Sequence, residues 1–120
     1  MKTILVADDE VFMRLLVKET LARYRVIEAR DGDEALVLAR EAAPDLVILD
    51  WMMPRRNGPA VLAALREDPA TRDVPVLMVT AKCGAAERAQ LLAAGATACM
   101  SKPFGTAALR ASVEEILEKR

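Results

Sequence analysis

The sequence predicts an α/β domain built on a doubly wound parallel sheet of five strands. Three observations carry this. Short apolar runs and segments of helical periodicity alternate five times along 120 residues, and that alternation marks a parallel sheet with helices on both faces. The third run, Leu46-Val47-Ile48-Leu49, is unbroken by any polar residue, as a strand buried on both faces requires. It ends on Asp50, and open α/β sheets place their ligands at the carboxyl ends of strands.

The first strand falls in Lys2–Ala7, with Ile4-Leu5-Val6-Ala7 as its buried part, and runs into Asp8-Asp9-Glu10. Met13, Leu16, Val17, Thr20 and Leu21 then recur at helical spacing, with Arg14, Lys18 and Glu19 between them. Asp9 is expected to cap this helix, and Glu10 suits its positive end. Tyr24–Ala29 is a more polar strand, as an edge position needs. Asp31 caps the second helix, with Glu34 three residues on, and Ala35, Leu38, Ala39 and Ala42 form its apolar stripe. Pro44 stops it. Asn57 caps a third helix with Pro59 in its first turn, and Val61, Leu62 and Leu65 face inward. A fourth strand, Val76–Val79, ends at Thr80. An alanine-rich fourth helix, Ala85–Ala94, stops at Gly95. Ala96–Met100 is the fifth strand, and Thr106–Lys119 is the last helix, with Leu109, Val113, Ile116 and Leu117 inward.

Composition narrows the function classes. A net charge of −1 with no basic run argues against a nucleic-acid surface. No apolar run is long enough to span a bilayer and nothing resembles a signal peptide, so a cytoplasmic protein is expected. There is no histidine, which excludes histidine-based catalysis or metal binding from within the chain. Cys83 and Cys99 have no metal-ligand spacing. They could approach between neighbouring strands as a regulatory thiol pair, but two inert thiols are the expectation in a cytosolic protein.

Five polar groups fall at strand ends: Asp8 and Asp9, then Asp50, Thr80 and Lys102. In a doubly wound sheet they converge. Carboxylates gathered in one pocket repel and raise one another's pKa, and a cation relieves that. Hard oxygen ligands suit Mg²⁺, with Mn²⁺ as a substitute, and a lysine and a hydroxyl nearby suit phosphoryl oxygens.

Asp8-Asp9, Asp50 followed by Met53-Pro54 and Gly58, Thr80-Ala81, and Lys102-Pro103-Phe104 occur in order, each after its expected strand. In these the whole chain, 1–120 as one domain, resembles the receiver domain of two-component response regulators, the CheY-like family. The resemblance implies a (βα)5 flavodoxin-like fold with strand order 2-1-3-4-5. It implies that Asp50 takes a phosphoryl group from a phosphohistidine on a partner kinase. It implies Mg²⁺ on Asp9, Asp50 and the Met52 carbonyl, with Asp8 through water or as a second carboxylate. Lys102, the Thr80 hydroxyl and the Ala81 amide would then hold the phosphoryl group. A histidine kinase or phosphotransfer protein is expected near the first helix, and an output protein or a second copy on the fourth helix, fifth strand and fifth helix.

Two departures stand out. Receivers usually carry an aromatic residue three before the lysine, and Cys99 stands there, so half of the family's switch is replaced. The output is then expected to rely on the Thr80–Gly84 loop and the fourth helix. Met52 and Lys82 fall where the family tunes self-hydrolysis, and a thioether and a cation there predict a long-lived phosphoryl state. Competing readings are a phosphate-independent pseudo-receiver and a Mg²⁺-dependent aspartate-nucleophile phosphatase. The second lacks its general acid, because Met52 stands two residues past Asp50. A nucleotide site lacks its glycine-rich turn, because Ala7-Asp8-Asp9-Glu10 stands there.

Overall fold

The apolar runs become strands at the centre of the sheet, where both faces are covered, and the more polar run becomes a strand at its edge. In the computed structural model, which describes residues 1–119, these are β1 (Thr3–Ala7), β2 (Arg25–Ala29), β3 (Leu46–Leu49), β4 (Val76–Thr80) and β5 (Ala98–Ser101). The helices between and after them are α1 (Val11–Thr20), α2 (Gly32–Ala42), α3 (Gly58–Glu67), α4 (Ala85–Ala93) and α5 (Thr106–Glu118). Arg120, the last residue of the expected domain, lies outside the described residues. All strands pair in parallel in the order β2-β1-β3-β4-β5. The central strands β1, β3 and β4 are buried on both faces, whereas β2, at the edge, is buried only in part.

Two aliphatic layers sandwich the sheet. On one face Leu5, Val47, Leu49 and Met78 pack against Ala35 and Ala39 of α2, Val61, Leu62 and Leu65 of α3, and Leu91 of α4. On the other, Ile4, Val6, Ile48 and Leu77 pack against Val17 of α1 and Leu109, Val113 and Leu117 of α5. Each fully buried aliphatic side chain contributes about 1.5–3 kcal/mol, so these layers hold the sheet's carboxyl edge in a single geometry.

Local signals behave as their chemistry demands at three helix ends. Asp31 accepts a hydrogen bond from the Glu34 amide at 2.8 Å, and Asn57 accepts one from the Ala60 amide at 2.9 Å. Gly95 takes φ of 107°, the left-handed geometry that ends α4. Four expectations need correction. Asp9 does not cap α1: Glu10 occupies the cap position without a side-chain bond, and it is Asp8 that accepts the Glu10 amide, at 2.9 Å. Leu16 is 38% exposed, so of the apolar positions read for the first helix it is Val17 and Leu21, not Leu16, that face the core. Arg14, in a position that reads as solvated, is only 6% exposed. Finally, β5 begins at Ala98: the Thr97 amide still donates to the Val76 carbonyl at 2.8 Å, but the Val76 amide donates to the Thr97 hydroxyl at 3.0 Å and not to a backbone carbonyl of the fifth strand.

Candidate functional site

The strand ladders extend one residue past β1 and β3. The Asp8 amide donates to the Ala29 carbonyl at 3.1 Å, and the Asp50 amide donates to the Ala7 carbonyl at 3.0 Å. Backbone pairing thus carries two carboxylates to adjacent positions on the sheet's carboxyl edge. On the far side, the Lys102 amide donates to the Thr80 carbonyl at 3.0 Å, which ties the end of β5 to the end of β4. The loop after β3 returns tightly to the site. The Gly58 amide donates to the Trp51 carbonyl at 2.7 Å, and a Cβ at Gly58 would run into the Asp50 carbonyl. Glycine is required there by close approach of two backbones.

The Lys102 ammonium joins the edge. It lies 2.8 Å from Asp8 Oδ2, 3.3 Å from Asp50 Oδ2 and 3.7 Å from Glu10 Oε1. The three inner partners are largely shielded, with side-chain exposures of 13% for Lys102, 4% for Asp8 and 8% for Asp50. Asp50 Oδ1 accepts the Trp51 amide at 2.8 Å, so both oxygens of this carboxylate have partners. Among the described residues, carboxylate oxygens of Asp8, Asp9 and Asp50 lie within 4.8 Å of one another.

These contacts have opposing electrostatic effects. Burial first, and the Asp8 charge second, push the Asp50 carboxyl above its ordinary value, against the pull of Lys102 and the Trp51 amide. For Lys102 burial disfavours the ammonium, but the Asp8 hydrogen bond and the charges of Asp8 and Asp50 outweigh it and hold its pKa up. Three carboxylates against one ammonium leave the edge with excess negative charge. Hard oxygen donors with that charge fit a hard divalent cation.

The structure gathers Asp8, Asp9, Asp50 and Lys102 as their strand-end positions predict. Thr80 is buried at 1% exposure, and its hydroxyl accepts the Lys82 amide at 3.1 Å. Ala81 lies exposed in the loop that follows. Met52 is 59% exposed beyond β3, and the Lys82 ammonium stands 5.9 Å above the Trp51 ring. Cys99 is not at this edge. It is buried in the α2–α3–α4 layer, and its sulfur meets that of Cys83. The approach that the sequence left open is met, with Cys83 on a loop and not on a strand: β4–β5 pairing and the return of the loop bring the two sulfurs together.

Sequence reasoning missed Arg14. Its Nη1 donates to the Asp8 carbonyl at 2.7 Å, and its Nε donates to Glu28 Oε1 at 3.1 Å. It anchors the backbone from which the Asp8 carboxylate projects. The available signal was an arginine six residues past Asp8, in the first turn of a helix whose other inward positions are apolar.

A parallel sheet with an acid cluster and one lysine at its carboxyl edge defines an α/β domain with a charged candidate site where open sheets of this kind bind their ligands. Comparison with known proteins narrows the class. The family model described as response regulator receiver domain matches residues 4–114. Response regulator PleD of Caulobacter vibrioides is 42% identical over 115 residues, covering 94% of this chain and 25% of PleD. The phosphate regulon transcriptional regulatory protein PhoB of Pseudomonas aeruginosa is 35% identical over 120 residues, covering 98% of this chain and 52% of PhoB. The solved structure of Vibrio cholerae chemotaxis protein CheY4 superposes with a TM-score of 0.91 at 34% identity, covering 98% of this chain and 99% of that one. The chain thus spans between a quarter and about half of the curated relatives it matches. It belongs to the response regulator receiver domain family, whose members are phospho-accepting modules of signal transduction. Among the described residues, no helix is long and apolar enough to cross a membrane.

Proposed function

We propose that residues 1–120 act as one receiver domain in which Asp50 accepts a phosphoryl group from a phosphohistidine on a histidine kinase or phosphotransfer protein. One observation carries this reading: Lys102 reaches across 94 residues of sequence to Asp8, and also to Asp50, beside the third carboxylate of Asp9. A purely structural role would not bring two buried carboxylates, an exposed third and a shielded ammonium together at the ends of β1, β3 and β5.

Mg²⁺, or Mn²⁺ in its place, fits the donor set. Asp9, Asp50 and the Met52 carbonyl would hold it, with Asp8 as a further carboxylate. When bound, it supplies positive charge against the oxygens of the transferring phosphoryl group. The protein supplies the rest. The Trp51 amide fixes the Asp50 carboxylate, and Lys102 opposes the rise that burial and Asp8 impose on its pKa, which favours the charged form that a nucleophile requires. In transfer the nitrogen–phosphorus bond of the donor breaks, a bond from an Asp50 oxygen to phosphorus forms, and the donor imidazole leaves. Lys102 follows the new negative charge. The Thr80 hydroxyl turns from the Lys82 amide to donate to a phosphoryl oxygen, and the Ala81 amide adds a second donor.

Turning Thr80 disturbs Lys82, and the loop to Gly84 carries that disturbance to α4. This is the output route, since Cys99 stands where the family's aromatic residue would move. The face formed by α4, β5 and α5 takes an output partner or a second copy, and the donor protein docks beside α1. Neither nucleic acid nor membrane is a direct partner, and the domain works in the cytoplasm as a signalling acceptor that catalyses at most its own phosphorylation and dephosphorylation. An aspartate-nucleophile phosphatase would need an acid at Met52.

The test is incubation with Mg²⁺ and acetyl phosphate followed by intact mass, with Asp50→Asn alongside. A gain of one phosphoryl group that needs Mg²⁺ and disappears in the variant supports the reading. No gain with metal binding intact overturns it in favour of a phosphate-independent binding module.

A further inference from the structure

Cys83 and Cys99 take no part in the chemistry above, yet the fold sets them face to face. Cys83 lies on the loop between β4 and α4, and Cys99 lies on β5, on the sheet face that packs against α4. Their sulfurs meet, and their Cα atoms are 6.6 Å apart, within the span of about 4.4–6.8 Å that disulfides bridge. The two residues are 16 apart in sequence, and all of α4 lies between them. Their approach is therefore a product of the tertiary fold. Their access to solvent differs: Cys83 is partly exposed, and Cys99 is 6% exposed. An oxidant in solution reaches Cys83 first, and Cys99 stands behind it as the second thiol.

We propose that Cys83 and Cys99 form a reversible redox site that takes oxidising equivalents from small disulfides of the glutathione class and, when cross-linked, clamps the β4–α4 loop to β5. Cys83 loses its proton to solvent and its sulfur attacks one sulfur of the small disulfide. That sulfur–sulfur bond breaks, and the departing thiolate takes up a proton. Cys99 then loses its proton and displaces the second small thiol from the mixed disulfide. In sum, two protein thiols become one disulfide and one small disulfide becomes two thiols. Excess small thiol reverses both steps. In a reducing compartment such a link is transient, which suits a sensor better than a structural staple.

The clamp falls three residues from Thr80. The Lys82 amide engages the Thr80 hydroxyl at 3.1 Å, and the Lys82 ammonium rests on Trp51 at 5.9 Å. A cross-link at the next residue holds the loop in the arrangement in which Thr80 is already engaged. This consequence rests on the phospho-acceptor reading of Asp50. Cross-linked protein should load phosphoryl groups at least about fivefold less well than reduced protein, the lower end of ordinary coupling between sites.

The experiment treats fully reduced protein with glutathione disulfide, counts free thiols, and maps peptides without reduction after cleavage at Arg88, which separates the two cysteines. Amide hydrogen exchange of residues 81–84 is followed in both forms. The expected result is loss of both thiols, an intramolecular Cys83–Cys99 peptide pair that dithiothreitol opens, and slower loop exchange in the oxidised form. Cys99→Ser should trap glutathione on Cys83, whereas Cys83→Ser should react poorly. Two thiols that stay titratable, disulfides only between molecules, or unchanged loop exchange would each overturn the proposal. Equal acetyl phosphate loading of the two forms would also overturn the coupling. If the reduced protein takes up no phosphoryl group while the cross-link and slowed exchange form, the Asp50 reading fails and the redox site stands.

Discussion

Replacing Arg14 by methionine isolates the anchoring of the acid cluster from its chemistry. Methionine keeps most of the stem's volume and removes the guanidinium. Two contacts are lost. The first is the buried 2.7 Å bond to the Asp8 carbonyl; hydrogen bonds from charged donors contribute about 1.5–3 kcal/mol. The second is the pair with Glu28, whose side chain is 36% exposed; at such exposure an ion pair contributes about 0–1 kcal/mol. Lys18, at 3.8 Å, also remains to accompany Glu28. Together the loss comes to about 1.5–4 kcal/mol, a fall of roughly 1–2 M in the urea midpoint at a slope of about 2 kcal/mol/M. The functional consequence is weaker Mg²⁺ binding, because the Asp8 backbone is freed to shift. It is read by titrating the fluorescence of Trp51, the chain's one tryptophan and the neighbour of Asp50. Arg14→Lys should recover little of either effect, since an ammonium cannot reach both acceptors in the planar geometry of a guanidinium. An unchanged urea midpoint would refute the energetic reasoning. A lowered midpoint with unchanged metal affinity would refute the anchoring.

The other predictions concern the charges themselves. Asp50 holds its proton more tightly folded than unfolded, because burial and then Asp8 raise its pKa above 3.8. Its contribution therefore favours folding below that value and is lost as pH rises from there through the folded pKa. Without metal, Asp50→Asn should be the more stable protein at neutral pH, with the advantage shrinking towards acid and on adding Mg²⁺; a less stable variant in metal-free urea unfolding would contradict this. Lys102→Gln leaves Asp8 and Asp50 buried without their ammonium, which should cost about 3 kcal/mol at neutral pH. Saturating Mg²⁺ should recover part of that loss in a thermal melt, and a variant as stable as the parent without metal would remove Lys102 from the electrostatic account. Joint substitution of Met52 and Lys82 by small polar residues should shorten the phosphoryl lifetime, followed by mass after donor removal. An unchanged lifetime would show that these side chains do not govern access of water.

What the sequence determined by itself is what depends on near neighbours. Unbroken apolar runs such as Leu46–Leu49 must be buried strands, because no face of them tolerates water. Asp31 and Asn57 start helices, because their side chains reach backbone amides three residues ahead. The placing of Asp50, Thr80 and Lys102 at strand ends follows from the same local logic. Their convergence needed the strand order, which alternation of elements leaves open and which resemblance to receivers supplied. The tertiary structure alone decided the rest. Arg14 reads as a surface residue on its helix, and only the nearby Asp8 carbonyl and the Glu28 carboxylate of β2 make its burial favourable. Asp9 reads as the cap of α1, yet the ladder bond from Asp8 to Ala29 sets the chain so that the Asp8 side chain reaches the Glu10 amide. Cys83 and Cys99 meet because β4 and β5 pair side by side and the loop after β4 folds back over the α4 face. A residue's own neighbours in sequence cannot encode a contact whose other half arrives from a different strand.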